Sequence, residues 1–297
     1  MNSWKKHSGP GKVPVAVVMI SLNEGHNMRE ILGNLAGWAD EVFLVDSYSS
    51  DKTVDIAIEH GVHVVQRAFK GFGDQWNFAL TNLPITAPWT MKMDPDERLT
   101  DAIKFEIENA IASNNAEMYS IPIRLHFMGR RLPSVLHMNR LWKTGSASFS
   151  NVAANEHALS AGRQARLVEE LIHLDSPSLE HWITKQNGYT TAEAISQFQG
   201  RALTTPPRLF GSSLERRMWV KKFFWRFPGR YKILFLYHLL IIGAWRSGKV
   251  GWIWSHLRTE VYRQWEYKHY EFSLRGYIPP KVPQGFGKPD LRVQQSN

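Results

Sequence analysis

Short apolar runs alternate with amphipathic stretches through the first 115 residues of the chain. Residues 15–21 (VAVVMIS) are apolar without interruption, which predicts a strand buried on both faces. Residues 27–35 space their apolar positions for a helix, 41–46 (EVFLVD) read as a second buried strand, and 51–59 as a helix capped by Ser49 and Ser50. A strand at 62–66, a helix at 74–82, a strand at 89–93 and a helix from the cap Thr100 to about residue 113 continue the pattern. This alternation predicts an α/β fold with a mostly parallel sheet covered by helices. From 118 to 173 the stretches shorten, with strands at 118–124 and 135–143 around a Gly129-Arg130-Arg131 turn. A helix from Ser178 to about residue 203 follows, ended by Pro206-Pro207.

Ligands of such sheets sit beyond the carboxyl ends of the strands. Three polar turns fall there: Ser21-Leu22-Asn23-Glu24, Asp46 to Asp51, and Asp94-Pro95-Asp96-Glu97. In an extended backbone residues i and i+2 point the same way, so Asp94 and Asp96 can address one ligand. Two carboxylates together with substrate phosphates suit a hard cation such as Mg²⁺ or Mn²⁺. An ordinary helix-entry turn has the same sequence.

Charge and composition narrow the chemistry. The 297 residues include no Cys, which excludes disulfides, thiolate metal sites and a cysteine nucleophile, leaving oxygen or imidazole to hold any metal. The net charge of +9 is unevenly spread: residues 1–200 hold 18 Lys+Arg against 22 Asp+Glu, and residues 201–297 hold 18 against 5. Residues 1–12 read as a flexible leader, since Lys5 and Lys6 precede Ser, Gly and Pro instead of an apolar segment.

The stretch from Val17 to Val65, with its NE turn at Asn23-Glu24 and its DEVFLVDSYSSDKT segment, followed by the DPDE turn at Asp94 to Glu97, resembles the opening of the family 2 glycosyltransferases. It is most similar to the bacterial branch acting on lipopolysaccharide core and related envelope glycans, and the likeness covers about residues 13–200. It implies a GT-A nucleotide-sugar-binding fold, with a nucleotide-binding half at 13–115 and an acceptor half at 116–205. It further implies inverting transfer from a nucleotide diphosphate sugar, leaning to UDP, with Mg²⁺ or Mn²⁺. Carried over by motif, Ser21, Asn23 and Glu24 line the nucleoside pocket, and Asp46 accepts a hydrogen bond from the base. Asp94 lies near ribose and diphosphate, and Asp96 is the foremost metal ligand. Glu24 and Asp46 also have plain readings, as a charge at a helix N-terminus and as a turn cap. Within Lys70-Gly-Phe-Gly-Asp-Gln-Trp-Asn77, the resemblance places Gln75 and Asn77 toward the donor, although the segment also serves as a simple connection.

Inverting transfer needs a base for the acceptor hydroxyl. The resemblance points to Glu156 in Asn155-Glu156-His157, where that branch usually reads His-Glu; His157 as base, or an ion pair at a strand end, are the alternatives. Arg140, in NRLWK, resembles an RLF stretch and would support the diphosphate or the base loop; a structural ion pair is its other reading.

Residues 206–297 change character. SLERRMWVKKFFWRF at 213–227 precedes a Pro228-Gly229 break and a 13-residue apolar run at 233–245, against about 20 needed to span a bilayer. A helical region whose residues 213–254 lie on an anionic membrane surface is expected, with a helical subdomain packed on the catalytic core as the alternative. No helix-turn-helix, zinc or RRM pattern supports nucleic acid as partner. The sequence thus leads to a glycosyltransferase peripheral to the cytoplasmic face of a bacterial inner membrane, acting on a lipid-linked, lipopolysaccharide or exopolysaccharide acceptor. Its competitor is a GT-A-like membrane- or nucleic-acid-binding module without catalysis.

Overall fold

A computed structural model describes residues 13–149, 158–200, 208–211, 215, 216, 219 and 223–280. The first half is built from β1 (Val13–Ser21), α1 (Gly25–Leu35), β2 (Ala39–Asp46), α2 (Thr53–Glu59), β3 (His63–Gln66), α3 (Phe72–Asn82) and β4 (Trp89–Lys92). Then come β5 (Glu97–Arg98), α4 (Asp101–Ser113), β6 (Met118–Phe127), β7 (Arg130–Lys143), β8 (Ser148–Phe149), β9 (Ala158–Leu159), β10 (Gln164–Arg166) and β11 (Leu171–Leu174). The last helices are α5 (Leu179–Phe198), α6 (Arg230–Leu236) and α7 (Gly248–Arg275).

The main sheet runs β3-β2-β1-β4-β7-β6-β11-β5, with β10 also on β6. The strands from β3 to β4 are parallel, β7 is antiparallel to both its neighbours, and β11 is parallel to β6. The sheet is therefore mixed, the reversed β7 joining the parallel strands to the second half. β1 is apolar on both faces because it is central. Val15, Val17 and Met19 enter the core beneath α1 and α4 with Met28, Ile31 and Ile103, while Ala16 and Val18 enter the opposite core with Trp76 and Ala79 of α3.

Caps were partly as the sequence predicts. Thr100 accepts from the Ile103 amide and Ser178 from the His181 amide. Ser49 and Ser50 do not cap α2, which starts at Thr53: Ser49 Oγ accepts from the Asn23 amide, and Asp51 Oδ1 takes the Thr53 amide. α5 ends at Phe198, earlier than the prolines, where Gly200 adopts φ +65° and its amide bonds the Gln197 carbonyl.

The described part of the C-terminal region packs on the second half. Phe127 and Leu132 from the β6–β7 hairpin meet Trp182 of α5, Trp254 of α7 and Ala244, which precedes α7, in one apolar cluster. A second cluster joins Ala194 to Trp265 and Phe272. The other side of this layer is open: Ile233, Leu236, Tyr237, Leu240, Ile241, Trp245 and Trp252 are exposed large apolar side chains, and Ile241 retains 76% of its surface. No single described helix is long and apolar enough to cross a membrane; α6 with its continuation to Ile241, taken with the Ala244–Arg275 stretch, forms a pair bent by 67° that passes the same test.

Candidate functional site

The ends of β1 and β2 are adjacent, Ser21 being registered against Asp46. Asp46 is fully buried and accepts from Ser21 Oγ (2.9 Å), the Ser49 amide (2.8 Å), Ser49 Oγ and Gln66 Nε2 (3.1 Å). A buried carboxylate needs such donors, and here they draw the turn after β2 inward. Asn23 sits in the left-handed region at φ +58°, a conformation its short polar side chain tolerates. Its Oδ1 accepts from the Ser50 amide (2.8 Å) and its own amide donates to Ser49 Oγ (2.7 Å). The Glu24 amide donates to Thr53 Oγ1 and the Gly25 amide to Asp51 Oδ2. A Cβ at Gly25 would lie 2.9 Å from Asp51 Oδ2, so a larger residue here would have to push that carboxylate aside. The two turns are thus sewn together, with Tyr48 exposed on their rim at φ +62°.

Gln75 is buried on α3, its Oε1 accepting from Arg67 (2.7 Å) and its Nε2 3.4 Å from Ser47 Oγ. Asn77 stands apart from this group. Its carboxamide is engaged at both ends with Phe149, donating to the carbonyl (2.9 Å) and accepting from the amide (2.8 Å). Phe149 pairs with Ala158, whose carbonyl accepts from Asn139. These contacts hold both ends of the stem from which residues 150–157 emerge. Glu156 and His157 lie outside the described residues.

The acidic turn is set by three backbone contacts: the Met93 amide to the Val18 carbonyl, the Glu97 amide to the Asp94 carbonyl, and the Leu174 amide to the Asp96 carbonyl. The pairing of His173 with Glu97 across β11 and β5 brings the second half of the protein against it. Arg140, 2% exposed on β7, donates from one Nη2 to Asp94 Oδ2 (2.9 Å) and Glu97 Oε1 (2.6 Å), and the Asp94 amide donates to Glu97 Oε2 (2.9 Å). Asp96 Oδ2 receives the ammonium of Lys185 on α5 at 3.2 Å, and that ammonium also meets the Asp175 carbonyl (3.2 Å) and Asp175 Oδ1 (3.8 Å). Asp96 Oδ1 is buried without a hydrogen-bond partner, 3.4 Å from His173 Nδ1. Lys92 lies buried under two rings, its Nζ 4.6 Å from the Trp76 centroid and 5.4 Å from that of Phe149.

This arrangement separates the carboxylates electrostatically. Burial raises the Glu97 carboxyl to about 7 against the opposing charge of Arg140. Burial acts on Asp94 in the same sense, yet Arg140 and Lys92 outweigh it and hold that carboxyl well below the usual range. Glu24 is lifted to about 6 by burial, against its hydrogen bond from Asn27 and with help from the charges of Asp96 and Asp94. Lys185 stays firmly protonated because its carboxylate neighbours, Asp96 first, overcome the effect of burial.

Asp94 and Asp96 fit a hard cation. Asp94 is ionised and its side chain is one third exposed, while Asp96 offers a buried oxygen with no hydrogen bond. Among the described residues no three carboxylate or imidazole groups converge on one point, so water and phosphate oxygens would complete the coordination. The structure therefore gathers Ser21, Asn23, Glu24, Asp46 and Gln75 into one braced pair of turns, and Asp94, Asp96 and Arg140 into one ion-paired cluster. Glu97, His173, Lys92 and Lys185 belong to that cluster and were not singled out as site residues. Glu97 and Lys92 flank the DPD turn in sequence; the position of Lys185, 89 residues from Asp96, has no local signal.

A family model described as glycosyl transferase family 2 matches residues 16–164. The chain is 30% identical over 196 residues to a Rickettsia felis protein described as an uncharacterized glycosyltransferase, covering 61% of this chain and 69% of that one. It is 24% identical over 234 residues to the lipopolysaccharide core biosynthesis glycosyltransferase LpsC of Rhizobium meliloti, covering 72% and 84%. Among solved structures, S. aureus TarS 1–349 aligns over 84% of this chain and 91% of its own, at 15% identity and a TM-score of 0.43.

Proposed function

The chain belongs to glycosyl transferase family 2, with the GT-A fold, and on that premise we propose that it transfers a sugar with inversion from a UDP-linked donor to a lipid-linked or lipopolysaccharide-type glycan. The observation that carries this reading is the buried Asp96 Oδ1, which makes no hydrogen bond, beside an ionised Asp94, at the end of the parallel strands where a nucleotide would bind. Asp46 fixes the turn that would receive the nucleoside, and the exposed ring of Tyr48 offers its face to the base. Asp94 and Asp96 would hold Mg²⁺ or Mn²⁺, and that cation, when bound, neutralises charge on the leaving diphosphate. Arg140 keeps Asp94 ionised and fixed while the donor enters. Glu156 is the proposed base. Its carboxylate takes the acceptor hydroxyl proton as the oxygen attacks the anomeric carbon and the bond to diphosphate breaks.

The name of the Rhizobium relative supports a lipopolysaccharide-type acceptor, and the exposed apolar side chains from Ile233 to Trp252 support a membrane-surface location, at the cytoplasmic face of a bacterial inner membrane. Lys232, Arg246 and Lys249 stand among them for anionic headgroups. The test is donor turnover with a panel of UDP-sugars and Mn²⁺ or Mg²⁺. Turnover abolished by Asp96→Ala with the fold intact supports the reading; full activity in that variant sinks the metal assignment, and no turnover with any donor favours a non-catalytic module.

A further inference from the structure

Five carboxylates gather at the acidic turn: its own Asp94, Asp96 and Glu97, with Glu24 and Asp175 beside them. Among the described residues, the Lys and Arg side chains that act on them most directly are Arg140, Lys92 and Lys185. Two of these are fixed by burial, Arg140 between Asp94 and Glu97 and Lys92 beneath Trp76 and Phe149. Lys185 differs, keeping 23% side-chain exposure. Its helix is anchored by Trp182, whose Nε1 donates to Asp175 Oδ2 at 2.7 Å, and by buried Gln186. The backbone is thus held, while the flexible four-carbon stem allows the ammonium to exchange one anionic partner for another.

We infer that Lys185 is a donor-diphosphate residue, its ammonium resting on Asp96 in the donor-free protein and passing to a diphosphate oxygen when cation and donor arrive. This inference rests on the donor reading above. With Asp96 committed to a cation, the Lys185 ammonium would lose that carboxylate as partner, and the nearby diphosphate would be the anion to receive it. As the bond from anomeric carbon to diphosphate oxygen breaks, its electron pair remains on the diphosphate, beside a hydrogen-bond donor. Because α5 packs on α7, this donor is carried by the layer that bears the exposed apolar surface.

Calorimetric titrations of Lys185→Met separate this role from a structural one. Mn²⁺ alone should bind at least about threefold tighter once the competing cation is removed, while UDP at saturating Mn²⁺ should bind about tenfold weaker. UMP, with no second phosphate, should change less than about twofold, and Lys185→Arg should keep UDP binding within about threefold of wild type. Equal weakening of UDP and UMP, or unchanged UDP binding, overturns the inference while wild-type binding preserves the donor reading. Wild-type protein that binds neither nucleotide overturns both. If Lys185→Met does not fold, Lys185→Gln reads the same contrast.

Discussion

Arg140→Met removes the guanidinium that holds Asp94 and Glu97 together. The side chain is 3% exposed, and its partners are a carboxylate one third exposed and one that is fully buried. Breaking a buried ion pair by deleting one partner costs about 3–5 kcal/mol, because the charge left behind is uncompensated. Glu97 provides a partial escape, since its carboxyl already titrates near 7 and can take a proton. The loss should therefore lie near 3 kcal/mol at pH 6 and grow toward about 5 kcal/mol at pH 8.5, where that proton must be drawn from a more alkaline solution. At about 2–4 °C per kcal/mol for a large domain, the melting temperature should fall by roughly 10 °C near neutral pH. Thermal unfolding followed by circular dichroism at the two pH values measures both quantities. Glu97→Gln in the Arg140→Met background should restore at least about 1 kcal/mol at pH 8.5, as expected of coupled neighbours. A loss below about 1 kcal/mol, or a loss independent of pH and untouched by Glu97→Gln, would refute the reasoning.

The remaining predictions concern other parts of the molecule. The raised carboxyls of Glu97 and Glu24 bind more protons in the folded than in the unfolded chain between about 4.5 and 7, so their contribution makes stability fall as pH rises through that window; urea midpoints across it should flatten in Glu97→Gln. Asp94 acts oppositely, its contribution being present above 3.8 and lost at lower pH. Asn77→Ala loses both bonds to Phe149 and should cost about 2 kcal/mol, lowering kcat through the stem that leads to residues 150–157 while leaving UDP affinity unchanged. Ile241→Asp with Trp245→Ala, at exposed positions, should shift stability by less than about 0.5 kcal/mol yet reduce retention on anionic liposomes at least about tenfold. Undiminished retention would count against the membrane surface.

Elements whose packing is local were legible in the sequence. β1 announces itself as an apolar run because it is buried on both faces, and Thr100 is a cap whose side chain accepts from the amide three residues on. Ser49 and Ser50 lie too far from the helix start at Thr53 to cap it: the Ser49 hydroxyl accepts from the Asn23 amide instead, and Asp51 Oδ1 takes the Thr53 amide. The acidic turn was legible as a pair of neighbouring carboxylates, and Arg140 as a residue with an ion pair among its readings, but which groups meet at the turn was not. Arg140, His173 and Lys185 come from three elements in the second half, and β5, which meets His173 at Glu97, is only two residues long. A strand that short leaves no periodicity, so its partner across the sheet could be found only in three dimensions. Asn77 shows the converse: the resemblance placed it toward the donor, while its carboxamide is committed to the Phe149 backbone.

The most direct test is a calorimetric titration of UDP into the full-length protein with Mn²⁺, with EDTA, and with Asp96→Asn in the presence of Mn²⁺. Saturable binding with Mn²⁺ that weakens at least about tenfold in both of the other arms, with the variant still folded, is the predicted result. Equal affinity in all three, or no binding to the wild-type protein, would contradict a nucleotide diphosphate held through a cation at Asp94 and Asp96.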